Sequence, residues 1–321
     1  MRDSEILQRL EKRLGTAHAR ERLGVETAHE SRLFSHGIRF FHPENWYSVH
    51  SIIRNSLKVS GLYARASRNA LDHRVVENHV VLDALPAGLD GLRVLHLSDL
   101  HVDVSDELLH AIIERVRELT YDVCVLTGDY RFRTYGAIDD ALRGMARLRS
   151  NLDGSVYAVF GNHDSVTMLP ALEDMGIRML MNESHAHRHG DDHLYLAGID
   201  DAHFFGVHDI EKALAGVPDT VPRILLSHTP EVYRQAARAG VQLLLCGHTH
   251  GGQICLPGGY PVTLDSRVPR RLGRGCWDYK GMRGYTSPGA GASMVAVRLN
   301  CPPELTVHVF HSAGPGAAQL Q

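Results

Sequence analysis

Five apolar runs in this chain end the same way, and that repetition constrains the fold more than any other feature. "LRVLHLSDLH" runs from Leu92 to Leu97 and then presents Asp99 and His101, while "DVCVLTGDY" passes through Val123 and Leu126 into Gly128 and Asp129. "VYAVFGNHD" leads into Asn162, His163 and Asp164, "RILLSHTP" into His228, and "VQLLLCGHTHGG" into His248 and His250. Short apolar runs separated by helix-like stretches read as buried strands of an alternating α/β chain. Open α/β sheets gather ligands beyond the carboxyl ends of their strands, so the pattern predicts one site assembled from five strand ends.

The residue types set the chemistry. Asp99, His101, Asp129, Asn162, His228, His248 and His250 offer oxygen and nitrogen donors without a thiolate, a set suited to Mn, Fe or Zn rather than to a Cys-rich structural zinc site. Such a set exceeds the needs of one tetrahedral ion. It suffices for two divalent ions about 3.5 to 4 Å apart if one carboxylate bridges, and Asp129 is the candidate bridge. Gly128, Gly161, Gly247, Gly251 and Gly252 leave room for sharp turns and close approach beside these donors.

The order D-x-H, G-D, G-N-H-D, H, G-H-x-H stands here as "SDLH", "TGDY", "GNHD", "SHTP" and "GHTHGGQ". It resembles the calcineurin-like metallophosphoesterase superfamily over residues 90–312. "GHTHGGQ" together with "RLNCPPELTV" resembles a bacterial branch that includes UDP-2,3-diacylglucosamine hydrolases. The resemblance implies a four-layer α/β sandwich, two facing mixed β-sheets flanked by helices. It also implies that Asp99, His101, Asp129 and His250 hold one ion, and that Asp129, Asn162, His228 and His248 hold the other. His163 resembles the family's non-ligand histidine, which stabilises charge near the phosphate or protonates the leaving oxygen, with Asp164 orienting it. The implied reaction is cleavage of a phosphoester or pyrophosphate bond by a metal-bridging hydroxide. Its substrate would be a small-molecule or lipid-linked phosphate, with UDP-2,3-diacylglucosamine in lipid A precursor synthesis as the specific candidate. Two alternatives use the same motifs: a broad-specificity phosphodiesterase acting on cyclic nucleotides or small diesters, and a non-catalytic metal-stabilised scaffold.

Outside the motifs the chain divides into a helical N-terminal extension over residues 1–75, a catalytic domain over 76–312 and a disordered tail over 313–321. Ile6, Leu7, Leu10 and Leu14 fall at helical spacing among many charges. In residues 44–63, Trp46, Val49, Ile53 and Leu57 share a face beside Arg54 and Lys58. That face must pack on the catalytic domain, on a second copy as a homodimer, or on a membrane surface. A net charge of -3 with 22% charged residues gives no reason to expect a nucleic-acid partner. Cys124, Cys246, Cys255, Cys276 and Cys301 form no C-x-x-C pair, as expected of a reduced protein. With no spanning apolar stretch and no evident signal peptide, the expected location is cytoplasmic, extending to peripheral contact at the inner membrane surface.

Three further regions carry expectations. "ESHAHRHGDDH" reads as an exposed hairpin turn, and His96 as a buried, hydrogen-bonded strand residue. Asp200, Asp201 and His203 follow the strand "LYLAG" and are candidate substrate contacts at the cleft mouth. Residues 256–291 read as a long connection of little periodicity, with Arg271 and Arg274 among the cations that would receive an anionic substrate beside Trp277, Tyr279 and Tyr285. "SMVAVRLN" and "ELTVHVFH" read as a terminal hairpin turning at Asn300 to Pro303.

Overall fold

Alternation within each short apolar run explains the layering. In the computed structural model, which describes residues 2–35 and 47–313, β3 (Val123–Leu126) turns Val123 and Val125 towards a core between two sheets. Cys124 and Leu126 face the helices instead. Strands β8 (Ile224–Leu226) and β9 (Leu243–Cys246) divide likewise: Ile224, Leu226, Leu243 and Leu245 enter the inter-sheet core, and Leu225, Leu244 and Cys246 face the other helical layer. A strand covered on both faces has no polar side to present, so these runs are apolar throughout.

Two six-stranded mixed sheets result. The first has the order β1 (Arg74–Leu82), β14 (Glu304–Ser312), β2 (Arg93–Leu97), β3, β4 (Ser155–Ala158), β5 (Ile177–Met179). In it β2 to β5 are parallel, while β14 runs antiparallel to β2 and parallel to β1. The second sheet has the order β12 (Gly275–Tyr279), β13 (Met282–Thr286), β9, β8, β7 (Asp192–Gly198), β6 (Glu183–His189). The first sheet is covered by α5 (Asp106–Arg117), α6 (Asp139–Arg149) and α7 (Leu169–Asp174), and the second by α8 (Ile210–Leu214) and α9 (Tyr233–Arg238). Helix α5 shows how the sequence encodes its part. Ser105 caps it by accepting from the Leu108 amide, Asp106 and Glu107 open it, Arg115 and Arg117 close it, and Leu109, Ile112 and Val116 are buried beneath.

Among the described residues, four helices precede the sandwich. Helix α1 (Arg2–Leu14) buries Leu10 in the first helical layer and ends at Gly15, which has a φ of 82°. Helix α2 (Thr16–Ser35) continues beyond that break. Helices α3 (Tyr47–Val59) and α4 (Tyr63–Leu71) bury Leu57 and Ala66 against Val297 and Leu299. Thus the expected face of residues 44–63 packs, at Leu57, on its own chain. Trp46 and the tail from residue 314 lie outside the described residues.

Two expectations about elements are corrected. Residues 293–300 form no strand beyond a single bridge between Ile254 and Leu299, so the terminal hairpin does not exist. Strand β14 is instead taken between β1 and β2, while Val297 and Leu299 serve the helical extension. Residues 256–291 are not a structureless connection either: they contain a small hairpin of β10 (Cys255–Leu256) and β11 (Tyr260–Pro261), then the β12–β13 hairpin on the sheet edge. The turn of the latter, Lys280 and Gly281, has φ of 50° and 83°, the two positive values a type I′ turn requires. "ESHAHRHGDDH" does turn at Gly190, but His185 and His187 lie on β6 beside Tyr157.

Candidate metal centre

The loops after β2, β3 and β9 hold their donors in a backbone conformation that side chains normally avoid. Asp99, His101, Asp129, His248 and His250 have φ of 52°, 40°, 58°, 72° and 49°. Left-handed φ at five non-glycine residues is strain that the surrounding structure must impose, and it turns all five side chains back into one cleft. Glycines make the room. A Cβ on Gly161 would stand 2.2 Å from Asp129 Oδ1, and one on Gly247 would stand 2.3 Å from Asp99 Oδ2.

The resulting donors fall into two overlapping groups. Ligand atoms of Asp99, His101, Asp129 and His250 all lie within 4.8 Å of one another, as do those of Asp129, His228 and His248. Asp129 belongs to both. Asn162 Oδ1 lies 2.9 Å from His228 Nε2, which adds the amide to the second group. Backbone carbonyls fix the rings: His101 Nδ1 donates to Arg131 O at 2.8 Å and His228 Nδ1 donates to Thr127 O at 2.7 Å, so both turn Nε2 towards Asp129.

Electrostatics match a cationic occupant. Burial alone would raise the Asp129 carboxyl; His228, His163 and His101 outweigh it and hold it well below the usual carboxylate range. Burial, with Asp129 adding to it, pushes Asp99 up to about 6. His248 and His250 are held well below their ordinary value by burial, His101 falls to about 4 for the same reason, and all three are neutral as ligation requires. His228 is the exception: burial lowers it, but Asp129 wins and raises it to about 10, so metal binding there displaces a proton. The fit shows in one further atom. His248 Nε2 is buried without a hydrogen-bond partner, an arrangement that costs free energy until something accepts its lone pair. The buried carboxylate and imidazole cluster therefore suits a dinuclear divalent site.

His163 stands beside the donors without joining either group. Its ring donates from Nδ1 to Phe132 O and brings Nε2 to 3.9 Å from Asp129 Oδ2, on the wall of the cleft. Asp164 does not orient that ring, contrary to expectation. Its two oxygens accept from the backbone amides of Asp129, Tyr130, Arg131 and Gly161, clamping the loops that follow β3 and β4 together.

The expected substrate contacts are mostly elsewhere. Asp200 is 1% exposed and pairs with Arg22 and His18 of α2, while Asp201 accepts from the amides of His203, Phe204 and Phe205 to shape their turn. Buried carboxylates at a strand end anchor backbone and helix here. His203 does reach the site: its ring lies 4.1 Å from that of His248 and Nδ1 meets Glu231 at 3.1 Å. Arg271 donates to the Asp278 carbonyl at 3.5 Å. Arg274 lines a separate cavity with Arg65 and Cys301, and Trp277 and Tyr285 are buried.

Several functional neighbours carried no local signal. Arg298, wholly buried, donates to the carbonyls of His250, Pro288, Gly289 and Gly291 and so holds the last ligand loop against the loop after β13. Arg22 donates to the Asp164 carbonyl at 3.0 Å, and Glu26 accepts from Val166 N and Ser165 Oγ, so α2 grips the Asn162–His163 loop. Ile53 of α3 lines the cleft.

Two sheets delivering Asp, Asn and His to shared strand ends define a candidate dinuclear metal centre. The calcineurin-like phosphoesterase model matches residues 92–252, and the chain belongs to that family. It is 33% identical over 260 residues to "Transmembrane protein with metallophosphoesterase domain" of Danio rerio, covering 75% of this chain and 58% of that protein. It is 30% identical over 260 residues to the metallophosphoesterase YkoQ of Bacillus subtilis (strain 168), covering 76% and 93%. To "Phosphodiesterase YaeI" of Escherichia coli (strain K12) it is 28% identical over 231 residues, covering 67% and 80%. The chain thus spans under two thirds of the animal relative's length. No helix among the described residues is long and apolar enough to cross a membrane.

Proposed function

We propose that the chain hydrolyses a phosphodiester or diphosphate whose phosphate bears a large apolar group, with UDP-2,3-diacylglucosamine the leading substrate. The observation that carries this reading is the make-up of one cavity of about 420 Å³. Asp129, Asn162, His163, His248 and His250 line it together with Ile53, Ile254, Val262, Met294 and Val295. Phosphate recognition and apolar surface share one space, which suits a headgroup phosphate with hydrocarbon attached. The animal relative is named as a transmembrane protein, a setting compatible with such a substrate.

Asp99, His101, Asp129 and His250 would hold one divalent ion, and Asp129, Asn162, His228 and His248 the other. Two such ions supply neutralisation of phosphoryl charge and an activated water at neutral pH. The protein's own share is orientation and proton movement. The Arg131 and Thr127 carbonyls fix the tautomers of His101 and His228. The Phe132 carbonyl fixes that of His163, whose Nε2 faces the cleft and can stabilise charge or hand a proton to the leaving oxygen.

The test is UMP release from UDP-2,3-diacylglucosamine by Mn-reconstituted protein, beside a generic aryl phosphodiester and an Asn162→Ala control. UMP release that disappears in the control supports the lipid-linked substrate. Cleavage of the aryl diester alone would instead support a broad phosphodiesterase, the reading favoured by the name of the E. coli relative.

A further inference from the structure

Exposed apolar side chains are unevenly placed on this molecule. Among the described residues the large hydrophobics left in solvent are Ile52 at 63%, Val59 at 91%, Val75 at 42%, Leu256 at 52%, Tyr260 at 56% and Val262 at 58%. All but Val75 sit on two segments: α3 and the stretch from β10 through Val262. Both segments also reach the catalytic cavity, α3 through Ile53 and the hairpin segment through Val262. The hairpin is held there by Gly252, where an added Cβ would stand 2.5 Å from that of Pro261.

Basic charge lies on α3 and in the stretches that follow the two segments in sequence. Residues 47–71 carry Arg54, Lys58, Arg65 and Arg68 with no Asp or Glu, and residues 255–274 carry Arg267, Arg270, Arg271 and Arg274 against Asp265. The whole chain has a net charge of -3, so this basic character is local. Apolar and aromatic side chains interleaved with Lys and Arg are the composition of interfacial segments, which bury the former among acyl chains and place the latter against anionic headgroups.

We propose that α3 and the β10–β11 hairpin segment form a docking rim that seats the protein on an anionic lipid bilayer, with the cleft opening at that interface. An exposed apolar rim continuous with a partly apolar cavity gives a hydrocarbon-bearing phosphoester a route to the site that avoids water. Delivery of such a substrate rests on the function proposed above; the docking itself does not.

The experiment is co-sedimentation of the full chain with vesicles of phosphatidylcholine alone and of phosphatidylcholine mixed with phosphatidylglycerol. Binding is expected to the anionic vesicles, to weaken as salt is raised, and to fall about tenfold or more in Ile52→Asp/Val59→Asp and, independently, in Leu256→Asp/Tyr260→Asp. Both variants should turn over a small water-soluble aryl phosphodiester at the parent rate, which shows that they fold. Failure of the parent chain to bind either vesicle would overturn the proposal, as would variants that bind like the parent. So would a parent that elutes as a dimer and variants that elute as monomers, since a second copy would then own the surface. Vesicle binding without UMP release leaves the rim standing and removes only the substrate; UMP release in detergent without vesicle binding removes only the rim.

Discussion

Asp129 concentrates the site's chemistry in one residue, and its neighbours show how a motif letter becomes geometry. Its φ of 58° and the glycine facing it are one device, because the side chain can turn into the cleft only where Gly161 has no Cβ. Gly161→Ala would put a carbon 2.2 Å from Oδ1. The backbone must then shift, and the variant is expected to lose most bound metal and at least about 10²-fold in turnover, measured by elemental analysis and diester hydrolysis. Asp129→Ala removes the donor common to both groups and should abolish both metal content and activity; retained activity would sink the dinuclear reading. His163→Ala separates ligation from catalysis. Metal should stay bound while turnover falls by about 10²-fold. At this scale the sequence was highly legible, since donor types, their order and the tight glycines are all local patterns. Asp164 was not, because an acidic residue next to a histidine reads as its partner when its bonds in fact go to four amides.

Strands β2 and β14 carry a polar chain through the middle of an otherwise apolar sheet. Asn78 Nδ2 donates to His308 Nδ1 at 2.9 Å, His308 Nε2 lies 3.2 Å from His96 Nδ1, and His96 Nε2 lies 2.9 Å from Thr127 Oγ1. The chain is satisfied when both imidazoles are neutral with the proton on Nε2; a second proton on either sets two donors face to face. Burial lowers His96 to about 3 and, with His96 adding, holds His308 well below its ordinary value. The sign follows. As pH falls below about 6.5 the unfolded chain takes up protons that the folded chain refuses, so stability is complete above that pH and is lost progressively towards 3, at up to about 1.4 kcal/mol per pH unit per ring. In urea titrations of metal-free protein, His96→Gln/His308→Gln should be less stable at pH 7.5 yet lose about 1 to 2 kcal/mol less than the parent between pH 6.5 and 5.5. An unchanged pH slope would remove the pair from the account. His96 was readable as a satisfied buried histidine, but β14 itself was misplaced: apolar alternation shows that residues 304–312 form a strand and says nothing of which strands they join.

The helical extension is tied to the sandwich by a charge as fully buried as the deepest core side chains. Arg22 is 0% exposed, meets Asp200 at 3.2 Å, lies within ion-pairing reach of Glu26 at 2.5 Å and rests 3.4 Å above the Phe205 ring. Burial alone would raise Asp200, but Arg22 and His18 hold its carboxyl below the usual range. Sequence reading put Asp200 at the cleft mouth because its true partners lie 178 and 182 residues away, a separation no local pattern bridges. The same contacts brace the Asn162–His163 loop, so extension and site are mechanically continuous. Removing Arg22 leaves a buried carboxylate short of its main counter-charge, and Arg22→Ala is expected to cost about 3 to 5 kcal/mol in urea unfolding. If that cost is the orphaned charge rather than lost packing, Arg22→Met/Asp200→Asn should recover most of it, because the long apolar side chain keeps contact with Phe205 while the amide needs no ion pair. A double variant as unstable as Arg22→Ala would mean instead that the guanidinium's bonds to the Asp164 carbonyl and Glu26 hold the extension in place, and that its role in shaping the catalytic loop outweighs its role in neutralising Asp200.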